Sequence, residues 1–201
     1  MKRFIFIGFV LCCLMFSFVS SPTFAGPNEP VIKWKMQSAY PLHTASALPA
    51  VLWAAQMEKL TQGKLKIEVF APGALCGTPN IIDAIENDAL DAAMTYGGYY
   101  TGIVPETNLT TGLPMVHQNI DEMYDAWYNR GLIELVREAF AERNIRYYVF
   151  PVDHWYNYVL RDPIKSLADF KGKKIRAVGT FGEFTQLLGA SAVTIPGAEL
   201  Y

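Results

Sequence analysis

The chain of 201 residues has little cysteine and no strong excess of either charge, and both shortages exclude classes of protein. Three cysteines are too few for a small scaffold held together by disulfides. A net charge of -2, from 17 Lys and Arg against 19 Asp and Glu, excludes the basic surface that nucleic-acid binding needs. With 51 % hydrophobic residues the chain is too apolar for intrinsic disorder. Its length suits one large domain or two small ones, each with a core.

The sequence also lacks the short motifs that carry most familiar enzyme chemistry. It contains no CxxC, HExxH, GxSxG, Walker loop or GxGxxG. The groups left for acid–base or nucleophilic work are Cys76, Asp153 and His154. Neighbouring residues of a strand point to opposite faces, which disfavours Asp153 and His154 as a catalytic pair. A secreted hydrolytic enzyme that uses His154, Asp153 or Cys76 is the alternative function.

A long apolar run occurs only at the N-terminus. A basic start is followed by an uncharged stretch over residues 4–19, and Thr23 and Ala25 are small residues at positions -3 and -1 of a cut. This layout predicts a signal peptide over residues 1–25, cleaved after Ala25, and therefore a periplasmic location. An uncleaved N-terminal anchor is the alternative. Beyond this segment Cys76 is the only cysteine, so an internal disulfide is excluded.

Hydrophobic periodicity predicts alternating strands and helices in the first part of the remaining chain. Strands are expected over 33–38, 64–70 and 91–96, with a helix from Thr44 to Leu60 and another after Thr78. This order implies parallel pairing with right-handed crossovers. The first helix is expected to bury one face, composed of Leu48, Leu52, Ala55 and Leu60.

The second part repeats the alternation after a region of loops and helices. Helices fit residues 120–130 and 132–143, parted near Gly131. Further strands are predicted over 145–150, 155–161, 174–178 and 192–195, with helical segments over 166–170 and 181–188. The fold class is therefore α/β, with residues 26–150 forming mainly a first lobe and residues 151–201 the start of a second.

Arg176 is the strongest candidate for binding a ligand. It lies inside the apolar strand KKIRAVG, where a buried guanidinium needs an anion partner. Arginine grips a carboxylate with two parallel hydrogen bonds, and the helix that opens at 179–182 offers free N–H groups. The alternative is an edge-strand arginine that contacts solvent or an aspartate.

Aromatic residues supply the other candidates. Trp155 and Asn157 share one face of the predicted strand DHWYNYVLR, as a pocket wall with one polar group would. Tyr99 belongs to a tyrosine-rich segment at the carboxyl end of a strand, where open α/β sheets place ligands. Strand-packed core and surface tyrosines are the alternatives.

Four segments together resemble a known family. The chain resembles the DctP-type extracytoplasmic solute-binding proteins of TRAP (tripartite ATP-independent periplasmic) transporters, and GTFGEFTQLLGA resembles the branch that binds 2-oxo acids and similar monocarboxylates. The segments are TQGKLKIEVFAPGAL (61–75), IIDAIENDALDAAMT (81–95), PIKSLADFKGKKIRAVG (163–179) and LGASAVTIPGAELY (188–201).

The resemblance implies a periplasmic-binding-protein-like clamp of two lobes with mixed sheets. Such a clamp closes on an organic acid, which is a 2-oxo acid, a hydroxy acid or a bulkier monocarboxylate. It delivers the acid to TRAP membrane permease subunits and is not an enzyme. Chains of the family are longer, so the second lobe is expected to be incomplete, and a non-functional truncated product is a further alternative.

The resemblance also assigns the site. It implies that Arg176 holds the substrate carboxylate and that the strand before it supplies an amide side chain, here among Trp155, Tyr156 and Asn157. Tyr99 and Phe181 complete the predicted substrate site. Some relatives bind a cation beside the ligand, so a monovalent or divalent cation is an open alternative to having no cofactor.

Overall fold

The computed structural model of the protein describes residues 30–111, 116–148 and 157–200. From Ile32 onward the chain forms one compact unit. Helices alternate along the chain with the strands of two parallel sheets, and this order confirms the α/β class. Within the described ranges, no helix has both the length and the apolar character that a membrane span requires.

The first sheet has three parallel strands. Strand β1 (Ile32–Ser38) lies between β2 (Leu65–Phe70) and β3 (Ala92–Met94), and Met36 of the central strand pairs with Ala92. Parallel neighbours need crossover connections, which the helices between the strands supply. The strand–helix–strand order predicted from the sequence is therefore confirmed.

Helix α1 (Leu48–Leu60) begins later than the sequence predicts. Pro49 explains the difference, because a helix that began at Thr44 would place this proline in its interior, where it removes a hydrogen bond and clashes. A start at Leu48 puts Pro49 in the first turn, where no N–H partner is needed. The Thr44 hydroxyl donates instead to the carbonyl of Pro41, at 2.7 Å, in the turn before the helix.

The buried face predicted for α1 is wrong. Ala50 and Ala54 are buried, together with Ala47 just before the helix. Small side chains let the helix pack closely against β2. The face predicted from hydrophobic spacing is exposed instead. The exposed residues are Leu48, Leu52, Ala55 and Leu60.

The main core lies between the first sheet and the helices of the middle region. Helix α2 (Ile81–Glu86), predicted as the helix after Thr78, buries Ile81 and Ile82. Helix α3 (Ile120–Tyr124) continues into a π-helical turn over Asp125–Asn129. These elements share one apolar cluster, whose largest fully buried members are Trp127, Tyr100, Ile81, Leu90, Ile133 and Val136.

Gly131 separates the two middle helices, as the sequence predicts. It has a φ of 88°, in the left-handed region that glycine tolerates, and helix α4 (Leu132–Ala141) begins directly after it. The amphipathic pattern of α4 places Ile133, Val136 and Phe140 in the core.

Two predicted strands are not strands where the structure describes them. Over 145–148, Arg137 donates from Nε to the carbonyl of Tyr147 at 3.2 Å and from Nη2 to the carbonyl of Tyr148 at 2.9 Å. These carbonyls are thus paired with a side chain rather than with a neighbouring strand. Residues 157–160 are also irregular. The rest of both predicted strands, 149–150 and 155–156, lies outside the described residues.

The second sheet contains two parallel strands. Strands β4 (Lys174–Arg176) and β5 (Ser191–Val193) are joined by helix α5 (Gly179–Leu187). A 3₁₀ turn over Leu167–Phe170, preceded by Ser166 as predicted, leads into β4. All strand pairs in the described ranges are parallel, so none of them supplies the antiparallel pair of a mixed sheet. The division into lobes at residue 150 stays a prediction.

Two glycines allow α5 to approach the turns that follow β3. A Cβ at Gly179 would lie 2.6 Å from Cγ2 of Thr111 and 3.2 Å from Cα of Gly98. Gly179 also has a φ of 59°. Beside this contact, the Thr180 hydroxyl lies 3.2 Å from the backbone oxygen and 3.1 Å from the side-chain oxygen of Asn108. The helix of the second sheet is thereby fixed against the middle of the chain.

We expect Gly179→Ala to destabilise the fold more than Gly172→Ala does. Gly172 also has a positive φ, of 78°, but a Cβ there meets nothing within 4 Å. The Gly172 variant should lose about 1–2 kcal/mol through left-handed strain alone. The Gly179 variant should lose a further amount of about 1–3 kcal/mol through overpacking. Urea unfolding followed by circular dichroism measures both, and equal losses would show that the close contact relaxes freely.

Candidate functional site

Arg176 is exposed at the end of β4, while its neighbour Ile175 is buried. Its Nε donates to the carbonyl of Ile195 at 3.0 Å, and its Nη2 donates to the hydroxyl of Tyr99 at 3.4 Å. The expectation of a buried guanidinium is therefore wrong, because the side chain extends from the strand end into solvent. No carboxylate in the described ranges forms an ion pair with it. Its positive charge is left for a ligand or for solvent.

The hydroxyl of Tyr99 connects three segments that are distant in sequence. It accepts from Nη2 of Arg176 and also from the backbone N–H of Gly197, at 3.2 Å. The ring makes edge-on contacts with Tyr96 and Tyr100, with centroids 5.6 and 6.3 Å apart. Aromatic edge contacts of this kind orient the ring, so the position of the hydroxyl is well defined.

Close packing before Tyr99 requires two glycines. A Cβ at Gly98 would lie 2.5 Å from the ring of Tyr96, and a Cβ at Gly97 would collide with the hydroxyl of Thr110. A 3₁₀ helix over Pro105–Thr111 contains three buried threonines. Their hydroxyls donate to carbonyls three residues earlier, which satisfies them without water. These close contacts therefore fix the turn that carries Tyr99.

Phe181 lies in the first turn of α5 and is half-buried. Its ring stacks on Tyr158, with centroids 4.9 Å apart and planes at 27°. The Tyr158 hydroxyl is hydrogen-bonded to that of Thr185, at 2.7 Å. This pair ties the irregular segment before β4 to the helix after it.

The structure brings together two of the six predicted site residues, Arg176 and Tyr99. Asn157 is exposed, and Trp155 and Tyr156 lie outside the described residues. Their part in a ligand site, like that of Phe181, stays a prediction. The carbonyl of Ile195 and the N–H of Gly197 also contact this pair, and they were not predicted from the sequence. A usable signal was their position just after β5, at the same sheet edge as the end of β4.

A buried amide fixes the loop at the corresponding edge of the first sheet. Gln37, near the end of β1, is fully buried, and its Nε2 donates to the carbonyl of Cys76 at 2.7 Å. Its Oε1 accepts from the backbone N–H groups of Leu75 and Cys76, at 2.9 and 3.1 Å. One side chain thus satisfies three backbone groups of the loop.

The environment of Cys76 is unfavourable for nucleophilic chemistry. Burial raises the pKa of the Cys76 thiol above its usual value, and the hydrogen bond from Gln37 offsets this only in part. A thiol with a raised pKa stays protonated at neutral pH, whereas the thiolate is the nucleophile. Nor do the described ranges contain a group of three or more His, Cys, Asp or Glu side chains that could hold a metal ion.

We expect slow alkylation of Cys76 at pH 7–8 and faster reaction as the pH rises above 9. The raised pKa keeps the thiolate fraction low, and raising the pH restores it. The test is the pH–rate profile of iodoacetamide labelling in a Cys12→Ser/Cys13→Ser background, with a cysteine-containing peptide as reference. A Cys76 profile that begins to rise at a lower pH than that of the peptide would contradict the expected shift.

Known proteins share both the sequence and the fold of this chain. Residues 37–201 match the family described as bacterial extracellular solute-binding protein, family 7 (DctP). A monocarboxylate 2-oxoacid-binding periplasmic protein of Nostoc sp. is 27 % identical over 179 residues, which cover 86 % of this chain and 47 % of that protein. No relative named here supports the hydrolytic alternative.

Two solved structures have a similar fold. A TRAP periplasmic solute-binding protein from Pseudoalteromonas atlantica, with bound sodium and pyruvate, gives a TM-score of 0.75 at 23 % identity, over 85 % of this chain and 52 % of that one. A TRAP transporter solute-binding protein from Bordetella bronchiseptica, with calcium and picolinate, gives 0.69 at 26 % identity, over 84 % and 50 %.

The chain spans about half the length of the curated relatives that it matches. The family match nevertheless covers most of its residues, including β4 and the Arg176 position. The chain therefore belongs to family 7 of the bacterial extracellular solute-binding proteins, the DctP family.

Proposed function

We propose that the chain is the substrate-binding part of a TRAP transporter and that Arg176 holds the carboxylate of an organic acid. The observation that carries the proposal is the exposed guanidinium of Arg176, which has no carboxylate partner among the described residues. Its Nη1 has no protein acceptor there either. An arginine in this state offers parallel N–H groups to an incoming carboxylate.

The substrate class is a 2-oxo acid, a hydroxy acid or a bulkier monocarboxylate. The Nostoc relative is named for binding monocarboxylate 2-oxoacids, and the two structural neighbours hold pyruvate and picolinate. Each of these ligands has a single carboxylate next to a second hydrogen-bond acceptor. The partners that receive the acid are TRAP membrane permease subunits, and nucleic acid is not a partner.

The remaining site residues are Trp155, Tyr156, Asn157, Tyr99 and Phe181. Phe181 supplies an apolar surface in the first turn of α5, and Asn157 is exposed in the segment before β4. The proposal includes, as an alternative to a site without a cofactor, a cation bound beside the acid, since the two structural neighbours contain sodium and calcium. The clamp has residues 26–150 as its first lobe and residues from 151 onward in its second.

The family is periplasmic, and we propose that residues 1–25 of this chain are the signal peptide that directs its export. An apolar stretch follows a basic start, and small residues end it at Ala25. The acid would then be bound outside the cytoplasmic membrane, where the permease receives it.

We expect the exported protein to begin at Gly26, because a signal peptidase would cut after Ala25. The measurement is the intact mass and N-terminal sequence of the periplasmic fraction. The control is Ala25→Arg, which places a large charged residue at position -1 and should retain the precursor. A mature chain that keeps residues 1–25 would favour the anchor.

In the closed clamp, where the charge pair is removed from water, we expect Arg176→Ala to weaken binding of pyruvate or picolinate by about 30-fold or more, which corresponds to about 2 kcal/mol or more. Arg176→Lys should recover only part of the loss, because an ammonium lacks the planar pair of donors. Titration calorimetry with the full chain measures both variants.

The matched control is Arg130→Ala. The guanidinium of Arg130 already pairs with Asp125, so its removal should leave acid binding unchanged. An Arg176→Ala variant that binds as tightly as the wild type would remove the assigned role. A wild-type chain that binds none of the acids would overturn the proposed function for this chain.

A further inference from the structure

The contacts of the Arg176 side chain divide its N–H groups into two sets. Nε, bonded to Ile195, and Nη2, bonded to Tyr99, belong to the same lateral edge of the planar guanidinium. Nη1 carries two N–H groups without an acceptor among the described residues, and Nη2 retains a second one. The protein thus occupies one edge and leaves the terminal edge, Nη1 with Nη2, unoccupied.

The hydroxyl of Tyr99 is in turn fixed by its own partners. It accepts from Arg176 and from the N–H of Gly197, so both of its lone pairs are used, while its own O–H has no acceptor among the described residues. The carbonyl that holds Nε, that of Ile195, lies two residues before Gly197. The arginine, the tyrosine and this turn therefore form a closed ring of hydrogen bonds.

We propose that Tyr99 is a positioning residue for Arg176, acting through the hydrogen bonds that its hydroxyl accepts. This inference rests on the proposed function. Together with the Ile195 carbonyl, the Tyr99 hydroxyl immobilises the lateral edge of the guanidinium, so that the terminal edge is the one presented to a carboxylate. A planar donor pair held in one orientation loses less conformational freedom on binding than a rotating side chain does.

The hydroxyl can be tested apart from the ring. The ring contacts of Tyr99 with Tyr96 and Tyr100 involve carbon atoms and survive in Tyr99→Phe. Tyr96→Phe is the matched control, because the Tyr96 hydroxyl donates to the carbonyl of Thr111 at 3.2 Å rather than to Arg176. Thermal melts of both variants check that the fold is retained.

The first experiment is a double-mutant cycle of Tyr99→Phe and Arg176→Lys, with pyruvate and picolinate as probes. In the wild-type background Tyr99→Phe should weaken binding by about threefold to tenfold, because the acid must then order the Arg176 side chain when it binds. In the Arg176→Lys background the same change should have less than about a twofold effect, because lysine has no lateral edge to hold. Tyr96→Phe should leave affinity within about twofold.

The second experiment needs no ligand. In ¹⁵N NMR of the arginine side chains, the Nη2–H that Arg176 donates to Tyr99 should exchange with water more slowly in the wild type than in Tyr99→Phe. Tyr96→Phe should leave this rate unchanged. An identical rate in the wild type and in Tyr99→Phe would overturn the positioning role even if no acid bound.

The outcomes separate the two proposals. If Arg176→Lys and Arg176→Ala both leave acid affinity unchanged, the proposed function fails, and the NMR comparison still decides whether Tyr99 orients Arg176. If the Arg176 variants lose affinity and the effect of Tyr99→Phe is equal in both backgrounds, Tyr99 acts independently of the arginine. That result would overturn the positioning role and favour direct contact with the ligand.

Discussion

The close approach of backbone at Gly98 and Gly179 determines where the candidate binding residues lie. A side chain at Gly179 would overlap Thr111 and press on the Cα of Gly98, so the first turn of α5 rests directly on the turns after β3. Tyr99 follows Gly98 by one residue, and Arg176 precedes Gly179 by three. The glycine contact therefore brings the phenol and the guanidinium within 3.4 Å, although 77 positions separate them in sequence.

Parallel strands explain why the polar groups gather at sheet edges. Tyr99 follows β3, Arg176 ends β4 and Ile195 follows β5, so each lies at or beyond the carboxyl end of a strand. Gln37 performs a related structural task near the end of β1, where it fixes the backbone of the loop at Cys76. Ligands of open α/β sheets lie at these ends because backbone groups there are no longer used by the ladder. The site thus follows from topology as much as from the individual side chains.

The parts of the fold that could be predicted are those that local sequence controls. Alternation predicted β2, and Gly131 predicted the break between α3 and α4 because a left-handed residue is needed there. The face of α1 could not be predicted by hydrophobicity, since close packing on β2 selects alanines over leucines. The strand predicted near 145–148 is absent because Arg137 of α4 donates to the backbone carbonyls of Tyr147 and Tyr148. For the candidate site, Arg176 could be proposed as a charge in an apolar strand, whereas its contacts with Ile195 and Tyr99 depend on tertiary structure.

The exposure of Arg176 bears on how an acid could be held tightly. An ion pair in contact with water contributes only about 0–1 kcal/mol, because solvent screens the charges and the side chains lose freedom. The same pair contributes several times more where water is excluded. The contacts with Tyr99 and Ile195 reduce the loss of side-chain freedom, but they leave the guanidinium open to solvent. Orientation by Tyr99 and exclusion of water by surfaces that close over Arg176 are therefore separate requirements. A tight complex needs both, because a well-oriented arginine in open solvent would distinguish acids by geometry while binding each of them weakly.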